Sequence, residues 1–143
     1  MGDSIAKGTG DEKGKGIGGN LMDLLKTQTP KDIKVDNLGV DRYKINDLKA
    51  QLKSGKQDQI ISNTDFLIIS IGGSDLQEIQ SLKDTQKEKA FQTKQDSYVA
   101  EVKDIITKIR TLNKKTQIIM VGSYNPVSVV NTSDNISYLD TWS

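Results

Sequence analysis

The sequence predicts an α/β fold, a three-layer sandwich with a mainly parallel central sheet that is incomplete in its strands. Three observations carry that prediction. Phe66-Leu67-Ile68-Ile69-Ser70-Ile71 is a short apolar run leaving through Gly72-Gly73, and Ile118-Ile119-Met120-Val121 is another leaving through Gly122. Runs of that length with glycine at the exit suit buried strands of a parallel sheet. Between them, Tyr98 to Leu112 carries apolar residues at 98, 99, 102, 105, 106, 109 and 112, the spacing of an amphipathic helix. Strand, helix, strand is the repeating unit of a parallel sheet with crossover helices.

The remaining elements follow in order. Seven of the 12 glycines lie between Gly2 and Gly19, which reads as a flexible polar loop. Asn20 is placed to cap a helix carrying Leu21, Met22, Leu24 and Leu25 that ends before Pro30. Ile33 and Val35 alternate as a short strand running into Asn37-Leu38-Gly39. Ile45, Leu48 and Leu52 recur at helical spacing with Gly55 as the stop, and Ile60 and Ile61 suit a second short helix. Residues 77 to 94 are polar and read as a loop or a solvated helix, and Ile136 to Trp142 begins another helix. In such sheets chemistry gathers at the carboxyl ends of strands, so the loops after residues 36, 71 and 122, and the first residues, are the ones to inspect.

Bulk properties narrow the function. At 143 residues the chain allows one domain, taken as 1–143. Its 20 basic and 19 acidic residues are interleaved for a net charge of +1, which is no footprint for nucleic acid or for a polybasic membrane contact. There is no cysteine, which excludes disulfides, thiol catalysis and cysteine-based zinc sites. No apolar stretch approaches the ~18 residues of a membrane span. No cofactor and no metal are expected. Asp3, Asp41 and Asp75 are better read as turn and cap residues than as a metal cluster. Tyr98, Tyr124, Tyr138 and Trp142 read as packing aromatics. Most telling, the sequence holds 0 histidines, the side chain that most serine hydrolases use as base.

The chemistry-bearing segments occur in a definite order. Gly2-Asp3-Ser4 opens GDSIAKGTG; VDNLGVDRYKINDLKAQL follows; FLIISIGGSDL comes third; KIRTLNKKTQIIMVGSYNPV comes last. Together these resemble the blocks of GDSL (SGNH) ester hydrolases, of the bacterial lipase-like acylhydrolase subgroup, and the resemblance covers nearly all of the chain. It implies a flavodoxin-like sandwich in which the serine sits on a tight turn after the first strand and attacks an ester carbonyl. The oxyanion is then held by the serine N–H, a glycine N–H and an asparagine side chain. Carried over by position, Ser4 is the nucleophile, Asp3 and Asp75 are motif residues, Gly39 or Arg42 supplies the backbone oxyanion donor, and Ser74 stands in place of the asparagine. Small acyl esters are the implied substrates.

Departures from the family pattern are equally specific. Arg42 occupies the place where a glycine is expected, and a positive φ there would strain it. Ser74 is shorter than the carboxamide it replaces. The family's closing Asp-x-x-His segment is absent, and only Met1 stands where a first strand should precede Gly2. The expectation is a partial domain, a fragment or decayed copy of a serine esterase or lipase, with little or no activity as given. The alternative is a noncatalytic α/β binding or assembly module derived from that fold. An exposed sheet edge would favour self-association. The compartment stays open, although the parent family makes an extracellular or cell-envelope location reasonable. Gly14-x-Gly16-x-x-Gly19 with Asp36 matches a dinucleotide fingerprint, but the residues before it cannot form the strand that fingerprint must follow.

Overall fold

The computed structural model describes residues 1–122; the Tyr124-Asn125-Pro126 loop and the helix expected from Ile136 to Trp142 lie outside them. In chain order the elements are α1 (Ser4–Lys7), α2 (Gly16–Lys26), α3 (Ile45–Lys53), α4 (Asp58–Ser62), β1 (Phe66–Ser70), α5 (Gly73–Gln80), α6 (Asp84–Leu112) and β2 (Gln117–Val121). β1 and β2 pair in parallel, from Phe66 opposite Gln117 to Ser70 opposite Val121. On the other side of β1, Gly2 makes parallel bridges to both Ser70 and Gly39. The lateral order is therefore Gly39, Gly2, β1, β2, with all carboxyl ends on one side. This is the incomplete α/β fold that the two apolar runs predict.

Alternation along β1 builds the core. Leu67, Ile69 and Ile71 face Ile45, Leu48 and Leu52 of α3, Ile61 of α4, and Ile105 and Ile109 of α6, in one cluster that also takes in Met1. Seven large side chains of this set are below 2 % exposed, and burying each contributes roughly 1.5–3 kcal/mol of transfer free energy. Phe66, at the start of β1, is 57 % exposed, and Ile119 and Met120 of β2 are 42 % and 38 % exposed. Among the described residues the sheet is thus well covered on the face toward α3 and α6 and less so at β2. Asn113, just past α6, donates to the carbonyls of Ile61, Ser62 and Thr64 and accepts from the N–H groups of Lys115 and Thr116. That one side chain ties the end of α4 to the turn that launches β2.

Three expectations need correction. Residues 31–38 form no strand; only Gly39 joins a bridge. The cause is the short alternating pattern, which offers two apolar residues and no regular partner. Asn20 does not cap α2 but lies inside it, donating to Gly16 O and to Asp11 Oδ2. The helix begins at Gly16 because the Asp11 carboxylate accepts the N–H groups of Lys13, Lys15 and Gly16. These donors hold the Asp11 carboxyl below the usual range, with the Lys13 hydrogen bond the largest cause. Accordingly, the glycine-rich segment is not one flexible loop but two helices joined by a turn organised on Asp11. Residues 77–94, expected as a loop or a solvated helix, take the helical alternative, because α6 extends back to Asp84 and α5 precedes it.

α6 is also clamped to the end of β1. The Tyr98 hydroxyl donates to Ile71 O at 2.8 Å, and its ring lies against Gly72. Burial, reinforced by the charges of Asp75, Asp3 and Glu101, pushes this phenol up to about 12, so it stays protonated as a donor. Tyr98→Phe removes the donor and leaves the Ile71 carbonyl without it, which should cost about 1–2 kcal/mol. Urea unfolding of the two proteins checks this, and equal midpoints would contradict it.

Candidate active site

Gly2 sets the site. Its φ is +128°, and a Cβ placed on it would lie 1.8 Å from Ser70 O, so no other residue can hold this strand so close to β1. The ladder continues as Ser70 N donates to Met1 O at 3.2 Å and Asp3 N donates to Ser70 O at 2.9 Å. The place beside β1 that a first strand would take is held by Met1–Asp3. The chain then turns at once into α1. Asp3 is its N-cap, extended in backbone, and accepts from Ile5 N at 3.0 Å. Ser4 is the first helical residue and is partly exposed. Its N–H is one of the orphan donors of a helix start, and among the described residues no side chain hydrogen-bonds its hydroxyl.

The second wall is the segment from Asn37 to Ile45. Gly39 packs so tightly on α1 that a Cβ there would be 2.3 Å from Lys7 N. Val40 N donates to Gly2 O at 2.9 Å, and the Asp41 carboxylate binds both the Lys7 ammonium and the Thr9 hydroxyl. At the far end, Ile45 N donates to Asp75 at 3.0 Å and the Lys44 ammonium pairs with Glu78 at 2.9 Å. The segment is therefore strapped to α1 at one end and to α5 at the other, with the turn at Arg42 and Tyr43 between them. Arg42 has φ +62° and, among the described residues, is the sole non-glycine with positive φ. Holding it there costs on the order of 1–3 kcal/mol.

These contacts discriminate between the two candidate backbone donors. The Gly39 N–H is already committed to Asn37 Oδ1 at 3.0 Å. Among the described residues the Arg42 N–H has no acceptor, and its left-handed backbone is the conformation for which a glycine would ordinarily be chosen.

The third wall is the exit of β1. Gly72 is left-handed, α5 starts at Gly73, and Ser74 is partly exposed in its first turn. Gly73 lies against the Asp3 carboxylate, a Cβ built on it falling 3.6 Å from Asp3 Oδ2, and the Ser70 hydroxyl donates to Asp3 Oδ1 at 3.4 Å, so Asp3 joins the serine turn to the exit of β1. Ser4, Arg42 and Ser74 thus come from three segments gathered at the carboxyl ends of neighbouring parallel strands. Asp75, by contrast, points inward. It is 3 % exposed, takes Ile45 N on one oxygen and the Lys94 ammonium on the other at 2.8 Å, and Lys94 also reaches Glu101 at 3.3 Å. Burial opposes the charge on Lys94, but the hydrogen bonds and charges of Asp75 and Glu101 outweigh it and hold this ammonium above its usual value. Asp75 is a strut fastening α3, α5 and α6 beneath the site. Asp3, Asp41 and Asp75 each have separate partners, and among the described residues no group of three potential ligands could hold a metal.

Sequence reasoning missed Tyr98, Lys94 and Asp41 as parts of this framework. Tyr98 and Lys94 act through contacts across 27 and 19 positions of chain, for which a single sequence offers no signal. Asp11 was legible in principle, as an acid just before a glycine-rich helix start. Its carboxylate sits at the α2 N-terminus where the dinucleotide fingerprint would place a phosphate, and turns rather than a strand precede it.

The fold is that of an α/β hydrolase-like protein with an incomplete sheet and a serine at the strand-to-helix turn. A family model described as the GDSL-like Lipase/Acylhydrolase family matches residues 1–142. The chain belongs to that family. It is also 34% identical over 128 residues to the "Uncharacterized protein YpmR" of Bacillus subtilis (strain 168), an alignment covering 88% of this chain and 50% of that protein. The chain therefore spans about half the length of the curated relative it matches. Among the described residues no helix is long and apolar enough to cross a membrane.

Asp3 yields a pH prediction. It is 2 % exposed, and desolvation raises its pKa against the opposing pull of the Ile5, Ala6 and Gly73 N–H groups and the Ser70 hydroxyl. A carboxyl with a raised folded-state pKa contributes stability that is present below its unfolded value near 3.8 and lost as pH rises through the folded one. The stability difference between the protein and Asp3→Asn should therefore move in favour of the native residue on acidification from pH 6 to pH 3. Urea titrations at several pH values read this directly, and a flat difference would refute it.

Proposed function

We propose that this chain carries the nucleophile and oxyanion side of a serine ester hydrolase site, acting on acyl esters through an acyl-serine intermediate. The observation that carries the reading is that the Ser4 hydroxyl and the backbone N–H groups of Ser4 and Arg42 follow neighbouring strand ends and have no partner among the described residues. In the reaction, Ser4 Oγ bonds to the carbonyl carbon, the alcohol leaves, and water later releases the acid. The negative charge that develops on the carbonyl oxygen meets the N–H groups of Ser4 and Arg42 and the hydroxyl of Ser74. Each such donor is worth about 2.7–4 kcal/mol of barrier, and the Ser74 hydroxyl reaches less far than a carboxamide.

The Ser4 proton has no imidazole to receive it, since the 143 residues contain 0 histidines. Without a base such a site retains only the modest acceleration from binding and the oxyanion donors. The 143 residues alone are therefore nearly inert. The same fact favours a second reading, a noncatalytic α/β binding or assembly module that keeps the hydrolase framework.

An assay with 4-nitrophenyl acetate separates the two. In imidazole-free buffer the chain and Ser4→Ala should give the same rate, and added imidazole should open a Ser4-dependent difference. Ser4-dependent turnover without imidazole would overturn the claim of inertness. No Ser4-dependent rate in either buffer, together with no labelling of Ser4 by a fluorophosphonate, would favour the noncatalytic module.

A second experiment isolates the missing base. Combining Ser74→Asn with Arg42→Gly rebuilds the family's donor set, yet turnover without imidazole should stay at background. A gain of a hundredfold or more would show that the donors, not the base, limit the chain.

A further inference from the structure

The Arg42 side chain has no role in the site as described so far. Its guanidinium is exposed and has no hydrogen bond or ion pair among the described residues. The neighbouring cations differ: Lys7 is held by Asp41 and Lys44 by Glu78. Among the described residues Arg42 is thus the cation of this wall that has no ion pair, on a turn fixed between the Ser4 helix and the Ser74 helix. Its backbone is held left-handed at φ +62°, a conformation in which a side chain adds strain that glycine would avoid. Of the carboxylates around the site, Asp41 has each oxygen engaged, by Lys7 and Thr9, and Asp3 and Asp75 are buried and bound elsewhere. Among the described residues no acid forms an ion pair with the guanidinium, which acts on Asp41 only through space, and its planar donor fork matches carboxylate and phosphate oxygens.

We propose that Arg42 is a specificity-determining residue that selects esters carrying a second, anionic group, a carboxylate or phosphate, close to the scissile bond. The proposal rests on the hydrolase reading above, because it takes Ser4 as the point where the ester carbonyl sits. With the carbonyl oxygen at the Arg42 N–H, the guanidinium of the same residue is within one side-chain length of whatever flanks that carbonyl. An anion there gains a bidentate partner in a partly solvated site, an attraction that added salt should weaken.

Binding tests this without turnover. The amide resonances of Ser4 and Arg42 would be followed by NMR during titration with three probes: methyl butyrate, which is neutral; monomethyl succinate, with its anion on the acyl side; and an acetylated glycerol 3-phosphate, with its anion on the alcohol side. At least one anionic probe should bind five- to tenfold more tightly than methyl butyrate. That preference should disappear in Arg42→Gln, persist in Arg42→Lys and shrink at high salt, and the preferred probe identifies the side on which the anion lies. Equal affinity for all three, no binding of any, or a preference that survives in Arg42→Gln would overturn the proposal. Its failure is distinguishable from failure of the hydrolase reading, which is judged by Ser4-dependent cleavage of the neutral aryl ester in imidazole.

Discussion

The contact between Gly2 and the Ser70 carbonyl is the constraint on which the rest of the site depends. Main-chain atoms approach there to a distance that leaves no room for any side chain. Because Gly2 lies flush against β1, Asp3 and Ser4 emerge level with the end of that strand rather than above it. Because the Gly2 carbonyl accepts Val40 N, the segment carrying Arg42 is registered against the same three residues. One glycine therefore sets the heights of two of the three walls, and Asp3 meets the third where its carboxylate lies against Gly73 and takes the Ser70 hydroxyl.

Below that level the molecule is braced by polar groups taken out of water in pairs. Asp75 and Lys94 hold the first turn of α3 and the middle of α6 to the base of α5, and Tyr98 holds α6 to the end of β1. Such contacts contribute little net stability, since desolvation offsets much of the attraction, but removing one partner strands the other. Their consequence here is geometric. The apolar cluster of β1, α3, α4 and α6 could tolerate small slides between helices, whereas directional hydrogen bonds at Ile45 and Ile71 define where the loops of the site begin.

The chemistry divides along the same line. In the proposed site the parts that would accept negative charge are assembled from backbone, with the N–H groups of Ser4 and Arg42 having no acceptor among the described residues. The part that would take a proton is not encoded in these residues at all. A framework braced around the proposed oxyanion position, in a chain with 0 histidines, is why family membership and turnover are separate questions for this chain.

From the sequence alone one could read the two apolar strands, the amphipathic helix between them, the helix at Ile45 to Lys53, the Gly-Asp-Ser turn and the absence of histidine, because each is a local pattern or a composition. Periodicity also failed locally. Ile33 and Val35 alternate without forming a strand, since alternation says nothing of whether a partner edge is within reach. Asn20 resembled a cap, but Asp11 reached the helix start first through the bend of the intervening turn. Whether Gly39 or Arg42 offers a free N–H could not be decided from spacing, because it depends on the Asn37 side chain folding back onto Gly39 and on a backbone angle at Arg42. The inward orientation of Asp75 likewise follows from Lys94 and Ile45, which are distant in the chain and adjacent only once α3 and α6 have packed. What sequence determined are the properties carried by neighbouring residues; tertiary structure decided which hydrogen-bonding groups remained unpaired, because pairing is settled only when distant segments meet.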